Sequence, residues 1–441
     1  MSKGGKSRTL AVMFGILAGV ALSFLLGSYM YFSFFFDPPP PRQVLVCNGV
    51  DILPSSYEWH TPFAGGILYK EHKSPERSEI PVLGTVYGGA PVFEPVQGIG
   101  TRGSYSVSLL DSEGHELWNG MDFNIPDGVI ARNGDYVMKA SLVYPNVLGA
   151  SYGELSFVAA FRAYFEPGMA TSFSEVSQGD VFVIKLYDLQ ESPNLSIDAG
   201  LDAEGNPIMA QFVKTGNSSA EAVIAVAHDR PVGEYHVQVS CDQNNWDVAY
   251  TVVEGRFERQ NLSIDASDPQ ITEANSPAAY AQYREKIYPL YETYDDERYW
   301  NGVFLRPVDW EAASCRISTT YGIFRYTNGG STPRRHPALD IAAPTGVPVL
   351  APNNGRVVMA EYLLNTGNTM VIEYGGGLKS YFFHLSSMAV EPGDMVSKGQ
   401  EVAKVGSTGY STGPHLHFEM RIGRQSLNPM PLMSGESQLF F

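Results

Sequence analysis

RRHPALDIAAP (Arg334–Pro344), YFFHLS (Tyr381–Ser386) and TGPHLHFE (Thr412–Glu419) bring four histidines and one aspartate into three short clusters of the chain. Around them run VPVLAP, GRVVMAEY, NTMVIEY, KSYFFHL, QEVAKVGST and HLHFEMR, apolar stretches with glycine at nearly every boundary. Short β-branched and aromatic runs bounded by turn residues predict strands, and no long helical period interrupts them. Residues 304–441 are therefore expected to form a nearly all-β module.

The clusters carry a specific chemistry. Alternate residues of a strand project from one face, so His415 and His417 serve one pocket with Cα atoms about 6–7 Å apart. His336 and Asp340 are four apart beside Pro333 and Pro337, which makes a helix improbable and requires a loop to bring them together. A hydrolytic zinc site takes three protein ligands from His and carboxylate and keeps a fourth position open. The metal brings the pKa of water near 7 and polarises a carbonyl, while neighbouring histidines handle protons. Taken singly, each cluster has a bland reading: His-x-His occurs on exposed strands, and His384 at an apolar strand end reads as a core histidine. Together the five residues read as a hydrolytic zinc site. The spacing leaves open which of His415 and His417 binds the metal.

Working outward, 441 residues exceed one domain, and at about 150 residues per domain they predict two to four. Hydrophobic residues make up 44% and charged residues 17%, enough apolar material for real cores. A formal net charge of −17 argues against nucleic acid as a partner and leaves no polybasic membrane patch. Attachment must come from elsewhere. From Thr9 to Phe36 no residue is charged, longer than the roughly 20 apolar residues a membrane span needs. Lys3, Lys6 and Arg8 precede this run, which orients the N-terminus to the cytoplasm and the remainder outside. The run is longer than the apolar core of a signal peptide and ends in aromatics rather than a small-x-small cleavage site, which favours an uncleaved anchor. Asp37 and Pro38–Pro41 then begin a stiff, extended spacer.

The expected organisation is a cytoplasmic tail (1–8), a transmembrane anchor (9–36), a Pro-rich spacer (37–46) and a β-rich module (47–168). An immunoglobulin-like β module (169–265), a partly helical linker (266–303) and the module at 304–441 complete it. Strands DVFVIKLYDL, AEAVIAVAH, GEYHVQVSC and WDVAYTVVEG support the immunoglobulin-like reading. In the linker, Tyr280, Tyr283, Ile287 and Tyr291 follow helical spacing up to a kink at Pro289, and read as a packing stripe that docks the last module. The pentapeptide NLSID occurs at Asn194 and at Asn261, too short a match to establish a repeat. His60, His72 and His115 stand alone. Three cysteines, Cys47, Cys241 and Cys315, cannot all pair and are expected to be buried, inert thiols.

HPALDIAAPTGVPVLAPNNGRVV, GNTMVIEYGGGLKSYFFHLS and PGDMVSKGQEVAKVGSTGYSTGPHLHFEMR resemble the lysostaphin/LytM-type zinc endopeptidases from about Val308 to Leu432. The resemblance implies an antiparallel β catalytic domain that cleaves peptide bonds in peptidoglycan, within stem-peptide crosslinks or their bridges. It further implies one Zn²⁺ held by His336, Asp340 and His417, with His384 and His415 as the catalytic pair. The chain departs from the family pattern at Ala338, where glycine is usual, and at Pro337. Its stretch TTYGIFRYTNGGSTPRRH is longer than usual, and Tyr326 or Asn328 is expected to reach the substrate or the metal's open position. Upstream β modules would contact cell-wall proteins. A non-catalytic scaffold or activator of other wall hydrolases is the alternative; it predicts a lost ligand, and all five positions are intact.

Overall fold

The computed structural model describes residues 4–441 except 36–43, 48–49, 64–65, 67, 75–78, 95–102, 122, 124 and 311–314. The proline run of the expected spacer lies outside the described residues. The chain divides into two compact units, 1–166 and 167–441.

In the first unit, Gly4–Phe34 form one helix. Its segment Thr9–Tyr31 has a mean hydropathy of 2.4 and is 0% buried. Twenty-three residues at 1.5 Å each extend about 35 Å, enough for a hydrocarbon core of about 30 Å. An apolar helix near the N-terminus suits either a signal or an anchor. The β part begins within the expected spacer, since Leu45 and Cys47 already lie in a strand and are fully buried. Six strands run in the order Leu68–Ser74, Ser56–Phe63, Tyr152–Tyr164, Gly134–Tyr144, Ser104–Asp111 and Glu116–Gly120, with Val82–Tyr87 added in parallel to Tyr152–Tyr164. Alternation in Gly134–Tyr144 and Tyr152–Tyr164 sends Met138, Ala140, Leu142, Phe157, Ala159 and Phe161 into one core.

The second unit opens with a sandwich of two four-stranded sheets. One orders Gly168–Thr171, Val181–Tyr187, Ser219–Ala225 and Phe212–Gly216; the other orders Glu175–Ser177, Asn244–Val253, Gly233–Cys241 and Leu195–Asp198. Phe182 of the first stacks on Tyr250 of the second at 4.8 Å between ring centroids. Cys47 and Cys241 are buried free thiols whose pKa burial pushes up to about 11, and Cys315 is half-buried. Both NLSID copies build edge strands: the first is Leu195–Asp198, and the second leads out of Arg259–Leu262, which pairs in parallel with Phe324–Thr327.

Pro277–Ile287 form a helix begun by Ser276, whose hydroxyl accepts from Ala279 N, with Pro277 at the first turn where no donor is wanted. Pro289 then sits in a 3₁₀ turn, Tyr288–Glu292. Ile287 and Tyr291 pack on Met359, Leu363, Val371 and Tyr381.

The last domain is an antiparallel sheet ordered Arg316–Thr319, Leu339–Ala342, His415–Ile422, Leu378–Leu385, Gly367–Glu373, Gly355–Leu363 and Met395–Val396. Gln425–Leu427 pairs with His415–Ile422, and Pro348–Leu350, Glu401–Lys404 and Ser387–Met388 form a smaller sheet. Leu378–Leu385 is buried along its whole length. Its buried polar residues are paired inside, Lys379 with Glu373 and Ser380 with Tyr374.

The sandwich and the last domain share a core: Val181, Val183 and Ala225 lie in the same cluster as Tyr321, Ile341, Phe382 and Phe418. Tyr321 is the polar tie within it. Its Oη accepts from His228 N of the sandwich at 3.0 Å and donates to Ser426 O at 2.8 Å. Burial pushes the phenol pKa upward, so it stays neutral. Tyr321→Phe removes both bonds and leaves the His228 N–H buried without an acceptor, which should cost about 1–3 kcal/mol. Urea unfolding of the full-length chain checks this; an unchanged midpoint for the 167–441 transition would contradict it.

Candidate metal centre

The sheet register assembles the centre. Leu339–Ala342 runs antiparallel to His415–Ile422 with Asp340 opposite His417. His336 lies just ahead of this strand, and its backbone is pinned by His336 N donating to Ile323 O (3.2 Å) and Gly322 N donating to His336 O (2.7 Å). Pro337 lines the cavity beside His336, and Ala338 is fully buried. Asp340 Oδ1 stands 3.1 Å from His336 Nε2 and 3.0 Å from His417 Nδ1, and the two nitrogens are 3.3 Å apart. Tetrahedral zinc with bonds of about 2.0–2.1 Å sets its ligand atoms about 3.3–3.4 Å apart. The three atoms therefore already stand at the spacing of one face of such a site.

Charge makes the same case. Burial raises the pKa of the Asp340 carboxyl, but His336 and His417 outweigh it and hold the group well below the usual carboxylate range. Burial opposes a proton on His417, yet Asp340 and Glu419 raise its pKa to about 9. Two buried carboxylates thus demand a positive charge at His417. A divalent cation held by His336, Asp340 and His417 would supply that charge in place of the proton.

Two supporting residues escaped the sequence reading. Arg325 Nη2 donates to Asp340 Oδ2 at 2.8 Å, occupying the oxygen that faces away from the histidines. Glu419 Oε2 lies 3.8 Å from His417 Nε2, and its Oε1 accepts from Arg421 Nε at 2.7 Å. The signal for Glu419 was present in HLHFEMR, since positions 415, 417, 419 and 421 share one face of the strand. His336 Nδ1 is buried with no such partner among the described residues.

His384 and His415 flank the centre, with ring centroids 4.8 Å apart. His384 Nδ1 donates to Thr408 O at 2.8 Å, and His415 Nδ1 donates to Gly413 O at 2.8 Å. A carbonyl can only accept, so each Nδ1 carries the hydrogen and each Nε2 is left with its lone pair. His415 Nε2 stands 3.9 Å from Asp340 Oδ1. Burial and the neighbouring His415 and His417 lower the His384 pKa to about 3. Phe383 stacks on His417 at 5.0 Å, yet the next residue, His384, lines the same cavity. Consecutive strand residues normally face opposite sides. The left-handed φ of 62° at His384 breaks the alternation. For a residue other than glycine this conformation costs about 1–2 kcal/mol. Gly406 lies against it: a Cβ there would come within 2.7 Å of His384 O and 2.4 Å of Ser386 N.

All five residues open on one cavity of about 1000 Å³. The tyrosine stripe does more than pack, because Tyr280, Tyr283 and Tyr288 line this cavity as well. Tyr326 and Asn328 do not line it. Asn328 takes φ 50° and its amide bonds Ile264 N and Ile264 O at 2.7 and 3.0 Å, holding the upstream segment rather than the metal position. Among the described residues, Glu58, His60 and Glu71 also converge. Lys73 sits 3.3 Å from Glu58 and 2.7 Å from Glu71, which makes that group an ion-pair network on a hairpin.

Residues 334–429 match the model of Peptidase family M23. The peptidoglycan DD-endopeptidase ShyB of Vibrio cholerae is 34% identical over 113 residues, 24% of this chain and 26% of ShyB. The DD-carboxypeptidase/endopeptidase Mpg of Neisseria meningitidis is 39% identical over 115 residues, 26% of this chain and 26% of Mpg. The chain thus spans about a quarter of the length of these curated relatives. A solved Pseudomonas aeruginosa peptidase M23 structure is 23% identical, covers 58% of this chain and 94% of its own, and has a TM-score of 0.42.

Partners of metal-bound histidines typically contribute 10–100-fold to metal affinity. Glu419→Gln, which removes the carboxylate behind His417, should weaken zinc binding by about 10–100-fold. Competition with a chromophoric chelator measures it, and wild-type affinity in the variant would show that Glu419 has no hold on His417.

Proposed function

We propose that this chain, whose C-terminal domain belongs to peptidase family M23, is a membrane-anchored, zinc-dependent endopeptidase that hydrolyses peptide bonds in peptidoglycan crosslinks outside the cytoplasm. The observation that carries the reading is the convergence of His336 Nε2, Asp340 Oδ1 and His417 Nδ1 beside two imidazoles on one open cavity. Burial lowers the His336 pKa and the neighbouring histidines keep Asp340 ionised, while the proton favoured on His417 is the one a metal ion would displace. The relatives ShyB and Mpg, described as acting on peptidoglycan or as DD-carboxypeptidase/endopeptidase, support the substrate class.

Zinc, when bound by His336, Asp340 and His417, supplies Lewis acidity that polarises the scissile carbonyl and makes water a nucleophile near neutral pH. The chain's own residues do the rest. His384 and His415, fixed as Nδ1–H tautomers by Thr408 O and Gly413 O, turn Nε2 lone pairs to the reacting group. One takes the proton of the attacking water and returns a proton to the leaving amine; the other steadies the developing oxyanion once protonated. Burial keeps His384 neutral at rest, its Nε2 lone pair free. Phe383 packs flat on His417 and holds the ligand ring in place. Arg325 on Asp340 Oδ2 directs Oδ1 inward.

The apolar helix Thr9–Tyr31, preceded by Lys3, Lys6 and Arg8, suits a single-pass anchor with the enzyme outside. The β modules upstream are surfaces on which cell-wall proteins could dock.

The test is incubation of the detergent-solubilised full-length chain with purified peptidoglycan, followed by mass spectrometry of released fragments. Chelation should abolish release, and zinc should restore it. His417→Ala should release nothing, and His384→Ala should lower kcat by about 10²–10⁴-fold. Equal release from wild type and His417→Ala would remove the hydrolase reading.

A further inference from the structure

We propose that Gln260, which lies outside the family-matched region, is a positioning residue of the metal centre: it holds Arg325 against Asp340 so that only one carboxylate oxygen is presented to the ion. The inference rests on the metal-binding part of the function proposed above and is independent of the substrate.

Arg259–Leu262, the strand that follows the sandwich, lies outside its two sheets and pairs in parallel with Phe324–Thr327, Gln260 beside Arg325. Gln260 Oε1 accepts from Arg325 Nε at 3.1 Å, while Arg325 Nη2 donates to Asp340 Oδ2 at 2.8 Å. The other end of the amide donates to Thr319 Oγ1 at 3.3 Å and Ser318 O at 3.4 Å. The amide can point only one way, since the guanidinium has no acceptor and the carbonyl no donor. Thr319 pairs with Asp340 in the sheet, and Ser318 Oγ donates to Asp340 O at 3.1 Å. Gln260 thus bonds both to the arginine on the Asp340 carboxylate and to the strand beside the Asp340 backbone.

The arginine needs that second hold. Its side chain is 21% exposed, and a long cation with one anchor gains rotamer freedom by swinging into water. Two anchors on one planar fork fix the guanidinium plane, and the plane fixes which oxygen of Asp340 turns away. The segment carrying Gln260 is itself tied down beyond it, since Asn328 N donates to Leu262 O at 2.9 Å and the Asn328 side chain brackets Ile264. Leu262 and Ile264 also wall the cavity. The exit of the sandwich is in this way part of the active centre.

The test compares zinc affinity of the full-length chain and its variants by chelator competition, and the visible spectrum of Co²⁺ placed in the site. Gln260→Met keeps the length and loses all three hydrogen bonds; it should weaken metal binding by about 10–100-fold and shift the Co²⁺ bands. Arg325→Met should weaken it at least as much, and the double variant should be no weaker than Arg325→Met alone, because both act through one chain of contacts. Wild-type affinity in Gln260→Met, or losses that add in the double variant, would overturn the proposal. Should Gln260→Met fold poorly, Arg325→Lys tests the same link, since one ammonium cannot span Gln260 and Asp340; wild-type affinity and spectrum there would overturn the proposal equally. Fragment release from peptidoglycan, measured alongside, decides the substrate reading separately.

Discussion

Everything in the C-terminal domain depends on one pairing register, that of Leu339–Ala342 against His415–Ile422. It sets Asp340 opposite His417 and Ala342 opposite His415. A slip of one residue would turn Asp340 to the other face and bury a carboxylate in the core. The register is held from behind: Leu339, Ile341, Leu416 and Phe418 are all fully buried, and their alternation with Asp340, His415 and His417 leaves each strand one way to lie. Packing fixes where the ligands are, and the ligands do not need to organise the fold.

That arrangement stores unfavourable electrostatics in a small volume. Asp340 and Glu419 are buried and both ionised, with His417 between them. Each carboxylate has an arginine on its far oxygen, Arg325 on Asp340 and Arg421 on Glu419. Buried charges persist only when paired and hydrogen-bonded, and both arginines do this while leaving the inner oxygens turned toward histidine. The inner oxygens of Asp340 and Glu419 are thus left for His417, which lies between them. His384 adds a backbone cost, a left-handed residue at a strand end, which the hydrogen bond to Thr408 O and the close approach of Gly406 hold in place.

The parts outside residues 304–441 also shape the candidate centre. Val181, Val183 and Ala225 of the sandwich lie in the same core as the ligand strands, and Tyr321 joins the two by its hydroxyl. The linker tyrosines split between two tasks: Tyr291 packs on Tyr381, while Tyr280 and Tyr288 face the cavity. Sequence periodicity identified the helix, but periodicity reports only which residues share a face. It cannot say whether the surface they meet is a core or a groove.

The β character of residues 304–441, the apolar N-terminal helix and the five residues that converge were legible in the chain itself. They are local matters of period, turn residues and residue type: a two-residue spacing fixes the face of a strand wherever the strand lies. The contacts of Arg325 and Gln260 around Asp340, the place of Glu419 beside His417, and the exclusion of Tyr326 and Asn328 from the cavity lining were decided only by the tertiary structure. Gln260 and Asp340 are 80 residues apart in numbering, and no local pattern relates them. Sheet pairing between distant segments brings their side chains together, because a strand's neighbours are chosen by the packing of the whole domain.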